Sequence, residues 1–199
     1  MEPTPTLETP RLRLRRPTEA DASIITWLCN DIRVARTMAE MPHPYTLANA
    51  FDWIEEIEAR EPEGRYQTFL MERRQRPEVI GAISLMPGPG EGIAAAGYWL
   101  GSAHWAQGYT TEALQELLRY GFHDLGLQAV TAWCSQENPA SGRVMAKAGM
   151  KFEKTVPGGW SRGGHVTDMI HYTLSASQWR ETASSAARQR MPSKNETVH

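Results

Sequence analysis

Ser102 to Thr111, SAHWAQGYTT, is a polar, glycine-bearing turn that runs straight into an apolar-periodic segment, a placement suited to holding an anion. Ala113, Leu114, Leu117, Leu118, Phe122 and Leu125 recur at helical spacing, so a helix with one core-facing side starts near Thr110 or Thr111. The first backbone N–H groups of a helix lack intrahelical acceptors and lie at the positive end of its dipole, which favours phosphate or pyrophosphate there. Gly108 lets the backbone approach such a group closely. A second polar cluster, Asn138-Pro139-Ala140-Ser141, combines a helix cap, a first-turn proline and a first-turn hydroxyl. Every helix has an N-terminus, so spacing alone leaves an ordinary helix start as the competing reading at both places.

Two extended runs deliver these clusters: Ile93 to Leu100 leads into the turn, and the β-branched and aromatic run Ala129 to Cys134 leads toward Asn138. Upstream, Arg11 to Arg15 alternates like a half-buried strand with its arginines toward solvent. Thr18 and Asp21 cap a helix bearing Ile24, Ile25, Trp27 and Leu28, and Thr46 caps a second with Leu47, Ala50, Phe51, Ile54 and Ile57 on one face. Thr68 to Glu72 and Val79 to Met86 read as strands of a meander, followed by a proline- and glycine-rich loop. Phe152 to Val156 and Met169 to Leu174 read as closing strands, joined by the glycine-rich segment Pro157 to Gly164. Ser175 with Gln178 forms a capping box for a short last helix containing Trp179. The expected organisation is a loose segment over 1–10, a single domain over 11–181 and a flexible polar tail over 182–199.

The run Trp105-Ala106-Gln107-Gly108-Tyr109-Thr110-Thr111-Glu112-Ala113 resembles the coenzyme A pyrophosphate loop of the GNAT N-acetyltransferases. It is most similar to the branch of the RimJ and RimL ribosomal-protein N-terminal acetyltransferases, where W-G-x-G-Y-A-T-E-A is usual. Asn138-Pro139-Ala140-Ser141 followed by Lys147-Ala148-Gly149-Met150 is similar to that branch's N-x-x-S…K-x-G-F. The resemblance extends from about Leu7 to about Arg180. It implies an α/β GNAT fold: a mixed, mostly antiparallel central sheet flanked by helices, with a coenzyme A cleft between splayed strands. It also implies acetyl-CoA as cosubstrate and direct transfer, within a ternary complex, to a primary amine of a protein N-terminus or small molecule.

By this resemblance, the backbone at Tyr98, Trp99 and Leu100 pairs with the pantetheine arm, and the amides from Trp105 through Ala106, Gln107, Gly108, Tyr109 and Thr110 meet the pyrophosphate. Thr110 or Thr111 adds a hydroxyl donor, Trp105 covers the nucleotide or fills the core, and Lys147 reaches a phosphate or is solvated. Asn138 corresponds to the asparagine that hydrogen-bonds the cofactor arm, with helix capping as its alternative role. Ser141 corresponds to the serine that donates toward the departing sulfur. Many GNAT enzymes use a tyrosine one helical turn further on, where this chain has Met145. The branch's glutamate ahead of the G-Y-W-L run is replaced by Ala95, leaving Glu91, His165, Asp168 and His171 as weaker base candidates. An α-amine with a pKa of about 8 is partly neutral near pH 7, so a side-chain base is not obligatory. The missing carboxylate also keeps open a non-catalytic acyl-CoA-binding module.

A chain of 199 residues, 41% hydrophobic and 22% charged, suits one globular domain with a sizeable core. Its formal charge of -2 and pI near 6.3 give no global attraction to nucleic acid or anionic membrane. No apolar run approaches the length of a membrane span, and the N-terminus lacks a signal-like apolar region. The two cysteines, Cys29 and Cys134, lack metal-ligand spacing, and the expectation is a reduced, cytoplasmic protein without metal. Monomer and homodimer remain open, as does an unrelated nucleotide hydrolase, although the glycine-rich phosphate-loop fingerprints are missing.

Overall fold

The computed structural model describes residues 5–60 and 66–189, with side chains up to residue 182. Eight strands form one sheet, β1 (Leu7–Glu8), β2 (Leu12–Arg15), β3 (Gln67–Arg73), β4 (Val79–Pro87), β5 (Ile93–Leu100), β6 (Ala129–Ser135), β7 (Lys151–Arg162) and β8 (His165–Ser175). Their spatial order is β1-β2-β3-β4-β5-β6-β8-β7, antiparallel throughout except between β5 and β6.

Among the described residues, six α-helices flank this sheet: α1 (Ala22–Cys29), α2 (Ile32–Ala35), α3 (Leu47–Arg60), α4 (Tyr109–His123), α5 (Pro139–Lys147) and α6 (Ala176–Gln189). Strand alternation sends Phe69, Met71, Ile83 and Leu85 to a core with α4 and α5, while Leu70, Ala82 and Trp99 pack with α1 and α3. The helix expected near Thr110 begins at Tyr109 and buries Ala113, Leu114, Leu117 and Leu118 completely or nearly so. Truncating Leu114 or Leu117 to alanine would cost roughly 2–5 kcal/mol.

Several expectations are corrected. Leu7–Glu8 is a strand within the supposedly loose segment, because Leu7 reaches the core and the Thr9 hydroxyl accepts from the Leu12 amide at 2.9 Å to close the hairpin. Arg15 is not a solvated strand residue: it bonds Asp21 at 2.7 and 2.9 Å and Glu72 at 2.7 Å. Leu47 and Phe51 are exposed although they lie on the helical stripe that buries Ala50, Ile54 and Ile57.

The closing strands run through the glycine-rich segment instead of ending before it. Irregular pairing between Val156 and Trp160 accommodates Gly158, whose amide donates to Asp168 Oδ1 at 3.0 Å, and only Gly163 and Gly164 turn the hairpin. Ser175 and Gln178 do cap α6, at 3.0 and 3.3 Å, but that helix extends to Gln189; the rest of the expected tail lies outside the described residues.

Candidate active site

The parallel β5–β6 pairing lasts for three residues, Ile93, Ala94 and Ala95 against Ala129, Val130 and Thr131. Beyond it β5 continues to Leu100 bonded to β4 alone, and β6 continues to Ser135 bonded to β8 alone. The strands thus part, and Tyr98, Trp99 and Leu100 lie on the edge facing the gap. That edge offers main-chain donors and acceptors to an extended ligand arm.

At the outer end of β5 stands the turn expected to hold an anion. The first α4 hydrogen bond runs from the Glu112 amide to the Gly108 carbonyl at 3.1 Å, and the amides of Gln107 through Thr111 find no acceptor among the described residues. The reason is local. Gly108 occupies the N-cap with φ +80° and has no side chain to bond these amides, whereas Thr46, Asn138 and Ser175 cap α3, α5 and α6. Glycine tolerates that left-handed backbone; Ala106, at φ +59°, adopts it with a Cβ.

Trp105 is 39% exposed and is no core residue; its indole N–H donates to the Leu100 carbonyl at 2.7 Å and ties loop to strand. Gln107 bonds the Ala103 carbonyl at 3.1 Å, Tyr109 is buried, and Thr110 and Thr111 occupy the first turn of α4. Lys147 lies at the far end of α5, where its carbonyl accepts from Gln115 at 3.4 Å.

On the β6 side of the gap, Asn138 Oδ1 accepts from the Ser141 amide at 3.3 Å, the capping role. The Ser141 hydroxyl lies 2.8 Å from the Tyr98 hydroxyl, a pair in which either can donate, and the Ser141 carbonyl is a second acceptor within reach of the phenol at 3.1 Å. This side-chain link across the gap was not legible in the sequence, where Tyr98 counted only through its backbone. Burial pushes the Tyr98 phenol up, against the opposing Ser141 hydrogen bond, so it stays protonated. Cys134 lies beside them: burial raises its thiol, with the Gly142 amide and Ser141 hydroxyl opposing.

The base candidates do not converge. Ala95 is buried at the last parallel pair, Glu91 sits in the exposed turn before β5, and Asp168 is engaged by Gly158. His165 Nε2 lies 3.0 Å from Glu137 Oε2 on the exposed hairpin. His171 stacks on Trp133 with its Nε2 buried and unpartnered among the described residues. No metal-binding cluster occurs among the described residues, and no helix there is long and apolar enough to cross a membrane.

Splayed strands, a helix start without a side-chain cap and a hydroxyl pair across the gap are features of this fold, which known proteins share. Residues 11–151 match the acetyltransferase (GNAT) domain model. The uncharacterized N-acetyltransferase p20 of Bacillus licheniformis is 30% identical over 170 residues, covering 85% of this chain and 95% of that protein. Among solved structures, a GNAT acetyltransferase from Bacillus anthracis superposes with TM-score 0.78 at 22% identity, covering 87% of this chain and 99% of that one. RimL, a ribosomal L7/L12 α-N-protein acetyltransferase in complex with coenzyme A, gives 0.77 at 19% identity over 87% and 98% of the two chains. The chain belongs to the GNAT family and is an acetyltransferase.

Proposed function

We propose that this acetyltransferase takes acetyl-CoA as donor and transfers the acetyl group to a primary amine in a ternary complex. The observation that carries the reading is the joint arrangement of unpaired amides at Gln107 to Thr111 and the free edge of β5, an anion site continuous with a slot for an extended arm. The residues fit the cosubstrate: the loop takes the pyrophosphate, Tyr98 to Leu100 take the pantetheine through their backbone, and Asn138, whose Oδ1 caps α5, has its side-chain NH2 to offer the arm. Ser141 is the donor toward the leaving sulfur.

RimL, which shares the fold, is named for a protein N-terminus as its target, and protein N-termini are one acceptor class; small-molecule amines are the other. A free α-amine supplies enough neutral nucleophile near pH 7 to react without a dedicated carboxylate, which accommodates Ala95. Calorimetric titration with acetyl-CoA, followed by thiol-release assays on amines and N-terminal peptides, tests the reading. Binding with turnover on at least one amine is expected. Failure to bind acetyl-CoA would overturn the cradle, and binding without turnover on the whole panel would overturn the transferase reading.

A further inference from the structure

Resting on that reading, we infer that Tyr98 is a positioning residue for the transfer: its hydroxyl, donated across the strand gap, orients Ser141 so that the serine's own proton faces the departing sulfur. The GNAT tyrosine position one turn beyond Ser141 holds Met145, which is 1% exposed and has no proton to give. The structure instead brings a phenol to Ser141 from β5.

The proton count supports the assignment. Tyr98 has one hydrogen and two acceptors within reach, Ser141 Oγ at 2.8 Å and the Ser141 carbonyl at 3.1 Å. That carbonyl lies in the first turn of α5, where it accepts within the helix, so Oγ is the acceptor with more to gain. With Tyr98 donating to Oγ, the serine hydrogen is left for the gap or for the neighbouring Cys134 sulfur, and sulfur is the weaker acceptor. Without Tyr98, a first-turn serine turns its hydroxyl back toward its own backbone, as such residues commonly do. Hydrogen bonds in series also polarise one another, which strengthens the outer donor.

In the step itself the amine nitrogen bonds to the acetyl carbon, the carbon–sulfur bond breaks, and its electron pair stays on sulfur. Serine is too weak an acid to surrender its proton, so Ser141 hydrogen-bonds the thiolate while both hydroxyls keep their hydrogens. The acylated nitrogen releases its extra proton to solvent, and the thiolate takes one from solvent. The N-terminus of α5 adds its dipole to the same charge.

The test compares wild type, Tyr98→Phe, Ser141→Ala and the double variant by thiol release, with acetyl-CoA affinity from calorimetry and thermal unfolding as controls. A single hydrogen bond of this kind corresponds to about a tenfold change in rate. Tyr98→Phe is expected to lower kcat by about tenfold, with acetyl-CoA affinity held within about twofold, and Ser141→Ala to lower it at least as far. Adding Tyr98→Phe to Ser141→Ala is expected to change kcat by less than about twofold, because a residue acting only through Ser141 has nothing left to position.

An unchanged kcat in Tyr98→Phe, a loss confined to acetyl-CoA affinity, or an equal loss in the Ser141→Ala background would each overturn the inference while leaving the transferase intact. A wild type that binds acetyl-CoA but acetylates no amine would instead overturn the proposed function and this inference with it.

Discussion

Arg11 and Glu112 join the edge of the sheet to the first turn of α4, with Nε to Oε2 at 2.6 Å and the Arg11 amide to Oε1 at 2.8 Å. The Thr9 hydroxyl adds a third donor at 2.6 Å, and the guanidinium continues to the Gln107 carbonyl at 2.9 Å while covering the Tyr109 ring. The N-terminal hairpin is therefore tied to the turn that opens α4. Burial raises the Glu112 carboxyl, and the bonds from Thr9 and Arg11 outweigh it, leaving the group below its ordinary range.

Glu112→Gln keeps the size of the side chain but loses charge-assisted bonds worth about 1.5 kcal/mol. Acetyl-CoA affinity should fall roughly tenfold, with a smaller effect on kcat because the hydroxyl pair at Ser141 is untouched. Calorimetry on the two proteins decides the point. Equal affinities would mean that the hairpin does not shape the loop.

Ala106 has a left-handed backbone where the related branch often has glycine. Left-handed geometry costs an alanine about 1–2 kcal/mol, and glycine gives back about 0.5–1 kcal/mol through its greater freedom when unfolded. Ala106→Gly should therefore raise stability by about 0.5 kcal/mol, and acetyl-CoA affinity should hold or improve. A denaturant melt showing a clear loss of stability would refute the strain.

The Arg15–Asp21 pair carries the pH dependence. Burial raises the Asp21 carboxyl, but Arg15 and Thr18 hydrogen bonds prevail and hold it below the ordinary carboxylate range. A depressed folded-state pKa means stability that is complete above the unfolded value of about 3.9 and lost as pH falls through the folded one. Asp21→Asn should cost about 1–3 kcal/mol at pH 7, and the deficit should shrink on acidification below about pH 4. A deficit independent of pH in urea melts would assign the loss to packing.

Elements set by local chemistry were legible: the apolar stripe of α4, the Thr46 and Ser175 caps, the Asn138-Pro139 start of α5 and the paired strands β3 and β4. Relations between distant segments were not. Nothing near Arg15 announces Glu72, 57 positions away, and nothing near Tyr98 announces Ser141, 43 away, because register places them together. The glycines from Gly158 to Gly164 read as a loop by composition, yet pairing with β8 holds most of that run extended. The open N-terminus of α4 lay between: Gly108 signalled it, but that the following amides find no acceptor among the described residues emerges only from the fold.

Met145 gives the last prediction, since restoring the usual GNAT tyrosine there looks like a repair. The side chain is 1% exposed in the core shared by α4, α5 and the sheet, and Tyr98 packs against that same cluster. A phenol at 145 adds volume to a filled site and a hydroxyl that needs a partner, costing about 1–3 kcal/mol. It also competes with Tyr98 for the space beside Ser141. Met145→Tyr should therefore lower the melting temperature without raising kcat, whereas Met145→Leu should cost less than about 1.5 kcal/mol and keep activity. A Met145→Tyr enzyme faster than wild type would show that the site lacks a phenol that Tyr98 does not replace.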